Sequence, residues 1–213
     1  MTFDSFTKKF EITADAGNPA FILPFDCGDR KYFEIINAFG GKTFCDGLYR
    51  VLRGDQVLAS IEAMEGVFPE LTRRIVPFGF DWLGRHFAID LGRISGGVPQ
   101  VLMLEVGAGE AMQIPASIED FHNIELVNFP DDALSLPFWN RWRKINSKPL
   151  LYPDCVGYKI PLFLGGADDV FNLETIDMSV YVHICGQLRN KTLSLPEGQS
   201  IGHISINETG RSI

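Results

Sequence analysis

The sequence is poor in the residues that mark metal sites, disulfide frameworks and exported proteins. Its 213 residues include only four cysteines, which form no Cys-x-x-Cys pair, and no histidine lies directly beside a cysteine. We therefore expect buried reduced thiols, without a metal site or a disulfide framework. No apolar run approaches the roughly 20 residues that cross a bilayer, and the first five residues lack the basic and apolar blocks of a signal peptide. These absences predict a cytoplasmic protein that does not enter the membrane.

Positive charge is also scarce. The chain has 19 Lys and Arg against 27 Asp and Glu, a formal net charge of −8. A nucleic-acid binder needs clustered cations for its phosphate contacts, so this class is disfavoured. Between Glu105 and Asp177 the sequence holds twelve acidic residues against five basic ones. Such an excess is typical of a solvated surface, and it would also steer a basic partner toward the protein.

Recognised phosphate-binding motifs are missing as well. The glycine pairs of residues 107–110 and Gly165-Gly166 lack both the P-loop ending and the dinucleotide fingerprint, and tight turns explain them. None of the cysteines lies in a recognisable catalytic context. The sequence therefore predicts no enzyme and no cofactor. A remaining enzyme hypothesis would use Asp81, His86 and Glu110, and it requires these side chains to converge in a cleft.

The stretch from Arg74 to Ile114 contains four short β-rich runs, each closed by Asp or Gly turn chemistry. Four such runs in sequence predict an antiparallel meander. The predicted fold is α+β, with a central antiparallel or mixed twisted sheet flanked by helices. We expect one domain over residues 1–213, with residues 1–45 a mainly helical part that packs on it.

Apolar spacing and capping residues predict the other elements. Helices are expected over residues 3–10, 29–39, 55–64, 117–126, 132–146 and 177–188, and strands over residues 47–52, 156–164 and, in the tail, 199–206. Pro137 is tolerated only in a first helical turn, so the regular helix there should begin near it, with Ser135 or Leu136 as its cap. Phe138 and Trp142 lie four residues apart and are expected in the core.

The turn from Asp81 to Gly84 allows two interpretations. Asp81 can bond its own backbone and pair with Arg85, which would be a structural role. Alternatively, Trp82 and Arg85 project from the turn into a partner, because Trp and Arg dominate interface hot spots.

Two segments resemble known families. Residues 78–90 (FGFDWLGRHFAID), followed by 101–105 (VLMLE) and Ile114-Pro115, are similar to the central sheet of the SUKH superfamily of bacterial immunity proteins. Residues 157–166 (GYKIPLFLGG), followed by 172–174 (NLE), Asp177, Tyr181 and residues 186–188, resemble the C-terminal module of immunity proteins that neutralise type VI secretion DNase effectors.

The resemblance implies a bacterial immunity protein that binds a cognate protein toxin and neutralises it by occlusion, without an active site of its own. The toxin would be type VI secreted or contact-dependent, and a basic nuclease would suit the acidic balance. Exposure and charge at turns suggest six contact residues: Asp81, Trp82, Arg85, Glu105, Glu110 and Asp168. The alternative function is a regulatory or scaffolding protein of the same fold that binds a cellular partner.

Overall fold

A seven-stranded antiparallel sheet forms the centre of the protein in the computed structural model, which describes residues 2–193. The strands follow one another in the sheet in chain order, so each pairs with its sequence neighbours. They are β1 (Ile12–Asp15), β2 (Lys42–Phe44), β3 (Tyr49–Val51), β4 (Ile75–Asp81), β5 (His86–Ser95), β6 (Val98–Glu105) and β7 (Glu110–Ile114). A separate antiparallel hairpin consists of β8 (Asp154–Tyr158) and β9 (Leu173–Asp177). The predicted meander is confirmed as β4 to β7.

Eight α-helical segments accompany the strands in the described part of the chain. They are α1 (Asp4–Lys9), α2 (Arg30–Phe39), α3 (Val57–Val67), α4 (Ile118–Asp120), α5 (Leu126–Asn128), α6 (Pro130–Leu134), α7 (Leu136–Ile145) and α8 (Met178–Thr192). A π-helical turn, Phe121–Glu125, joins α4 to α5. Among residues 2–193, none of these helices combines the length and the apolar character that a membrane crossing requires.

Helices cover both faces of the sheet. The α1, α2 and α4 helices and the π-helical turn lie on one face, where Phe87, opposite Met103 in the register, contributes to an aromatic core. The α3 and α8 helices lie on the other face, over Ala88 and its register partner Leu102. Because successive strand residues point to opposite faces, β5 and β6 can serve both cores at once. The predicted α+β class is therefore confirmed.

The N-terminal segment contributes two strands as well as two helices. Asp29 accepts a hydrogen bond from the Lys31 backbone at 2.8 Å and begins α2, as its residue type predicts. The β1 and β2 strands extend the edge of the sheet beyond β3. Phe6, from α1, is fully buried against rings that include Phe44 and Tyr49. The division of the chain into one domain with a helical N-terminal part stays a prediction.

His122, at the centre of this core, has a structural role. It is fully buried, its Nε2 lies 2.9 Å from the Tyr49 hydroxyl, and its Nδ1 lies 2.7 Å from the Ile118 carbonyl oxygen. Burial lowers the pKa of its imidazole to about 4, so the ring is neutral at pH 7. Neutral imidazole has one donor and one acceptor, which suits these two partners.

Two predicted elements differ in extent from those observed. The expected helix over residues 132–146 is two helices, because Ser135 has a left-handed φ of 49° between α6 and α7. Ser135 is the N-cap residue of α7, and it is one of the two residues predicted for that position. The strand expected through residue 164 ends at Tyr158, before Pro161, which has no N–H for a ladder bond. The strand expected at residues 199–206 lies outside the described residues.

Truncating Phe6 tests how much the N-terminal packing stabilises the protein. We expect Phe6→Ala to lower the free energy of unfolding by about 3–5 kcal/mol, because the ring is fully buried among other rings. Phe171→Ala removes the same side chain from a position that is 82% exposed, and should change stability by less than about 0.5 kcal/mol. Urea denaturation of both variants measures the difference. Equal stability of the two variants would contradict the packing described for α1.

Candidate functional site

The β4–β5 turn is held by Asp81. Its Oδ1 accepts hydrogen bonds from the backbone N–H groups of Leu83 and Arg85, both at 3.0 Å, and its Oδ2 accepts one from the Arg85 Nε at 2.7 Å. Gly84 supplies the left-handed φ of 79° that closes the turn. The structural interpretation of this turn is therefore confirmed at the level of its hydrogen bonds.

The turn is not on the surface, which corrects the expectation that its side chains contact a partner. Asp81 and Trp82 are 0% exposed and Arg85 is 4% exposed. The Trp82 Nε1 donates to the Leu134 carbonyl at 2.9 Å, and Arg85 donates to the Ala133 carbonyl at 3.2 Å. A hairpin turn is usually solvated, but α6, α7 and the β8–β9 hairpin cover this one.

Trp82 is the centre of the contact between the turn and α7. Its ring lies 5.4 Å from Phe138, 5.3 Å from Trp139 and 6.0 Å from Trp142, measured between ring centroids. The Trp82 carbonyl also accepts a hydrogen bond from the Val156 backbone at 2.7 Å. The predicted core role of Phe138 and Trp142 is confirmed, and Trp82 belongs to the same cluster.

Glu105 is also buried, at 7% exposure, so its assignment as a surface contact is wrong. Its Oε2 lies 3.6 Å from the Arg85 Nε, and its Oε1 has no hydrogen-bond partner among the described residues. Burial raises the pKa of the Glu105 carboxyl to about 8, and the attraction of Arg85 does not offset it. One guanidinium faces two buried carboxyls, and Asp81 takes its strongest contacts. Glu105 is therefore mostly protonated at pH 7.

The enzyme hypothesis is not supported by the positions of its three residues. His86 stacks on Phe80 on the opposite face of the sheet from Asp81, and burial lowers its pKa to about 4. His86 and Phe80 line a groove of about 260 Å³, whereas Asp81 and Glu110 do not line it. The sequence analysis missed a Gly-x-Ser-x-Gly spacing, typical of hydrolase nucleophile turns, at residues 198–202, which lie outside the described residues.

No group of three or more His, Cys, Asp or Glu side chains within residues 2–193 has an arrangement that could hold a metal ion. All four cysteines lie within that range and are free thiols, three of them buried. Their burial raises the pKa of Cys27 and of Cys45, which disfavours the reactive thiolate.

The two remaining predicted contact residues, Glu110 and Asp168, are exposed. Glu110 begins β7, directly after the β6–β7 turn, and Asp168 lies in the loop between β8 and β9. This loop packs on the turn, because the Leu162 backbone donates to the Gly107 carbonyl at 2.8 Å. The Tyr158 hydroxyl donates to the Asp168 carboxylate at 2.7 Å and holds it in place. Glu110 and Asp168 thus flank two touching loops, and their role in partner binding stays a prediction.

Arg50 is a structural residue that the sequence analysis missed. It is fully buried, lies 4.8 Å over the Phe80 ring, and donates to backbone carbonyls of Gly47, at 2.7 Å, and Asp154. Desolvation lowers the pKa of its guanidinium to about 10, so it remains charged at pH 7. Its position between Tyr49 and Val51 in a predicted strand was the available signal, since a cation inside such a run needs buried acceptors.

The segment that covers the buried turn is similar to a known protein family. Residues 121–189 match the family described as T6SS immunity protein Tdi1, C-terminal. The match confirms the resemblance of this part of the chain to a type VI immunity module, and it supports an immunity function.

The fold as a whole has a solved counterpart. The crystal structure of Atu4351 from Agrobacterium tumefaciens superimposes with a TM-score of 0.60, over 87% of this chain and 88% of that one, at 15% sequence identity. At this identity the similarity concerns the fold alone. Among proteins with curated descriptions, none matches the chain.

The raised pKa of Glu105 makes stability depend on pH. The neutral carboxyl is favoured in the folded state, so its contribution is fully present below the ordinary pKa of 4.5 and is lost as the pH rises through about 8. Glu105→Gln keeps a neutral side chain at all pH values. We expect the stability of the variant to rise relative to the wild type between about pH 5 and about pH 8.5, with roughly 5 kcal/mol as an upper bound.

Denaturant unfolding of both proteins at the two pH values measures this change. Glu110→Gln makes the same substitution at an exposed position and should show no such dependence. A wild-type–variant difference that is constant with pH would show that Glu105 is not buried as a neutral acid.

Proposed function

We propose that this protein is an immunity protein that binds a cognate toxin and blocks it by occlusion. The observation that carries the proposal is the match of residues 121–189 to a type VI immunity module, together with its location over the charged turn of the sheet. In this proposal the toxin is delivered by a type VI system or by cell contact. The net charge of −8 favours a basic toxin, of which a nuclease is one class.

Occlusion would act through the acidic surface. Carboxylates presented on the two touching loops would take the place of substrate phosphates against Lys and Arg of the toxin. Of the six residues suggested by the sequence, only Glu110 and Asp168 are exposed and can act in this way. The buried turn would instead keep the two loops in position. No group of the protein needs to perform chemistry for this inhibition.

Co-expression tests the proposed function directly. The polypeptide encoded by the reading frame next to that of this chain is produced in a host cell, with and without the protein. We expect the protein to restore growth and to elute with that polypeptide in gel filtration. Growth that is unaffected by the protein, without complex formation, would reject the immunity function and favour a regulatory or scaffolding role.

Charge reversal at the acidic loops tests electrostatic steering. Glu110→Lys should slow association with the neighbouring-frame polypeptide by about three- to tenfold at low salt and reduce the salt dependence of the rate, because exposed interface charges act mainly on association. Asp168→Asn should act in the same direction with a smaller effect. Stopped-flow or surface-based kinetics at several salt concentrations measure both rates.

Glu62→Lys reverses an exposed charge on α3 and serves as the matched control, since it changes the net charge equally. If Glu62→Lys and Glu110→Lys slow association alike, net charge and not the two loops governs the encounter.

A further inference from the structure

The loop between β8 and β9, residues 159–172, is closed by its own side chains. Tyr158 pairs with Leu173 at the end of the hairpin, and the same register places Ile160 opposite Phe171. The Asn172 amide group joins the two sides of the loop. Its oxygen accepts from the Ile160 backbone at 3.0 Å, and its nitrogen donates to the Ile160 and Ala167 carbonyls at 2.8 and 2.9 Å. The loop therefore has a defined conformation.

Two glycines make this closure possible. Gly165 has a left-handed φ of 84°, which side-chain-bearing residues rarely adopt. A Cβ atom at Gly166 would lie 1.9 Å from the Ile160 carbonyl oxygen, so only glycine fits there. The predicted tight turn at this pair thus has a second feature: it packs one side of the loop directly against the other.

This ordered loop exposes large apolar side chains. Phe171 is 82% exposed and Ile160 is 55% exposed. The Asn172 amide holds the Ile160 backbone, and the Phe171 backbone N–H donates to the Asp169 carboxylate. An exposed ring on a rigid backbone loses little conformational entropy when a partner covers it. Buried aromatic side chains also supply much of the binding energy at protein interfaces.

Carboxylates are frequent in the same stretch of the chain. Asp169 accepts a hydrogen bond from the Phe171 backbone at 2.9 Å, and the Tyr158 hydroxyl orients Asp168. Glu174 follows on β9 and is exposed. The one cation of this stretch, Lys159, donates from its Nζ to the Phe171 carbonyl at 2.9 Å. A partner that covers Phe171 therefore meets a mostly negative rim, which a basic surface complements.

We propose that this loop is the principal contact with the toxin, and that Phe171, supported by Ile160, enters an apolar pocket surrounded by Lys and Arg on the toxin surface. This assignment rests on the proposed immunity function and adds the contact residues and the chemistry of the partner surface. The β6–β7 turn, against which the loop packs through the bond from Leu162 to Gly107, would contribute Glu110 to the rim.

Equilibrium binding to the neighbouring-frame polypeptide, immobilised after purification, tests the assignment with the full chain. We expect Phe171→Ala to weaken binding by at least about 30-fold, mainly through faster dissociation, and Ile160→Ala to weaken it less. Ile22→Ala truncates an apolar side chain that is 87% exposed outside the loop, and should stay within about twofold of the wild type. Thermal unfolding confirms that all variants fold.

The outcomes separate the two proposals. Wild-type binding that is unchanged in Phe171→Ala overturns the loop assignment and leaves the immunity function standing. Absence of wild-type binding overturns both. Sedimentation in the absence of partner covers a third case: a wild-type dimer that Phe171→Ala converts to a monomer would show that a second copy of this chain covers the loop, and would also overturn the assignment.

Discussion

The structure depends on covering the β4–β5 turn. The turn carries Trp82 and the Asp81–Arg85 ion pair, which would be costly to bury without partners. Backbone carbonyls of Ala133 and Leu134 supply those partners, and the aromatic residues of α7 surround the indole. A loop that would otherwise be solvated therefore becomes the point at which the sheet and the C-terminal segment are joined.

The two buried carboxyl groups near Arg85 differ in the number of hydrogen-bond donors that contact them. Asp81 accepts from two backbone N–H groups and from the guanidinium of Arg85. The Oε2 of Glu105 lies 3.6 Å from that guanidinium, and its Oε1 has no hydrogen-bond partner within residues 2–193. The same residue type that makes the outer surface acidic is thus held mostly neutral inside. Electrostatic attraction of a partner therefore depends on exposed carboxylates, of which Glu110 and Asp168 lie at the two touching loops.

Local sequence patterns predicted most of the fold. The meander, the Asp29 cap and the α8 helix all follow from alternation, helical spacing or capping residues, which act over a few positions. The sequence did not predict the break between α6 and α7, because the break depends on one residue, Ser135, in a left-handed conformation. The four buried candidate contacts were wrongly expected at the surface for a different reason. Exposure at Asp81, Trp82, Arg85 and Glu105 is decided by segments up to about 70 residues away, and turn chemistry contains no information about them.

Phe171 was missed for the converse reason. In the sequence it is one of 17 phenylalanines, and no local pattern distinguishes it from the others. In the structure it is 82% exposed, at the end of a loop that the Asn172 amide and Gly166 close. The exposure of this side chain is clear in the structure, but no neighbouring residue in the sequence indicates it.

The hydrogen bonds of Arg50 and Trp82 bear on how such modules could be exchanged between proteins. The segment that matches the immunity family contains the acceptors and the aromatic residues, but the arginine and the tryptophan come from β3 and the β4–β5 turn. Grafted alone onto a foreign scaffold, it would carry an empty indole-sized cleft and unbonded carbonyls. Recombination that preserves function should therefore move the turn and its cover together, and natural fusions of this module should retain a tryptophan at the equivalent hairpin.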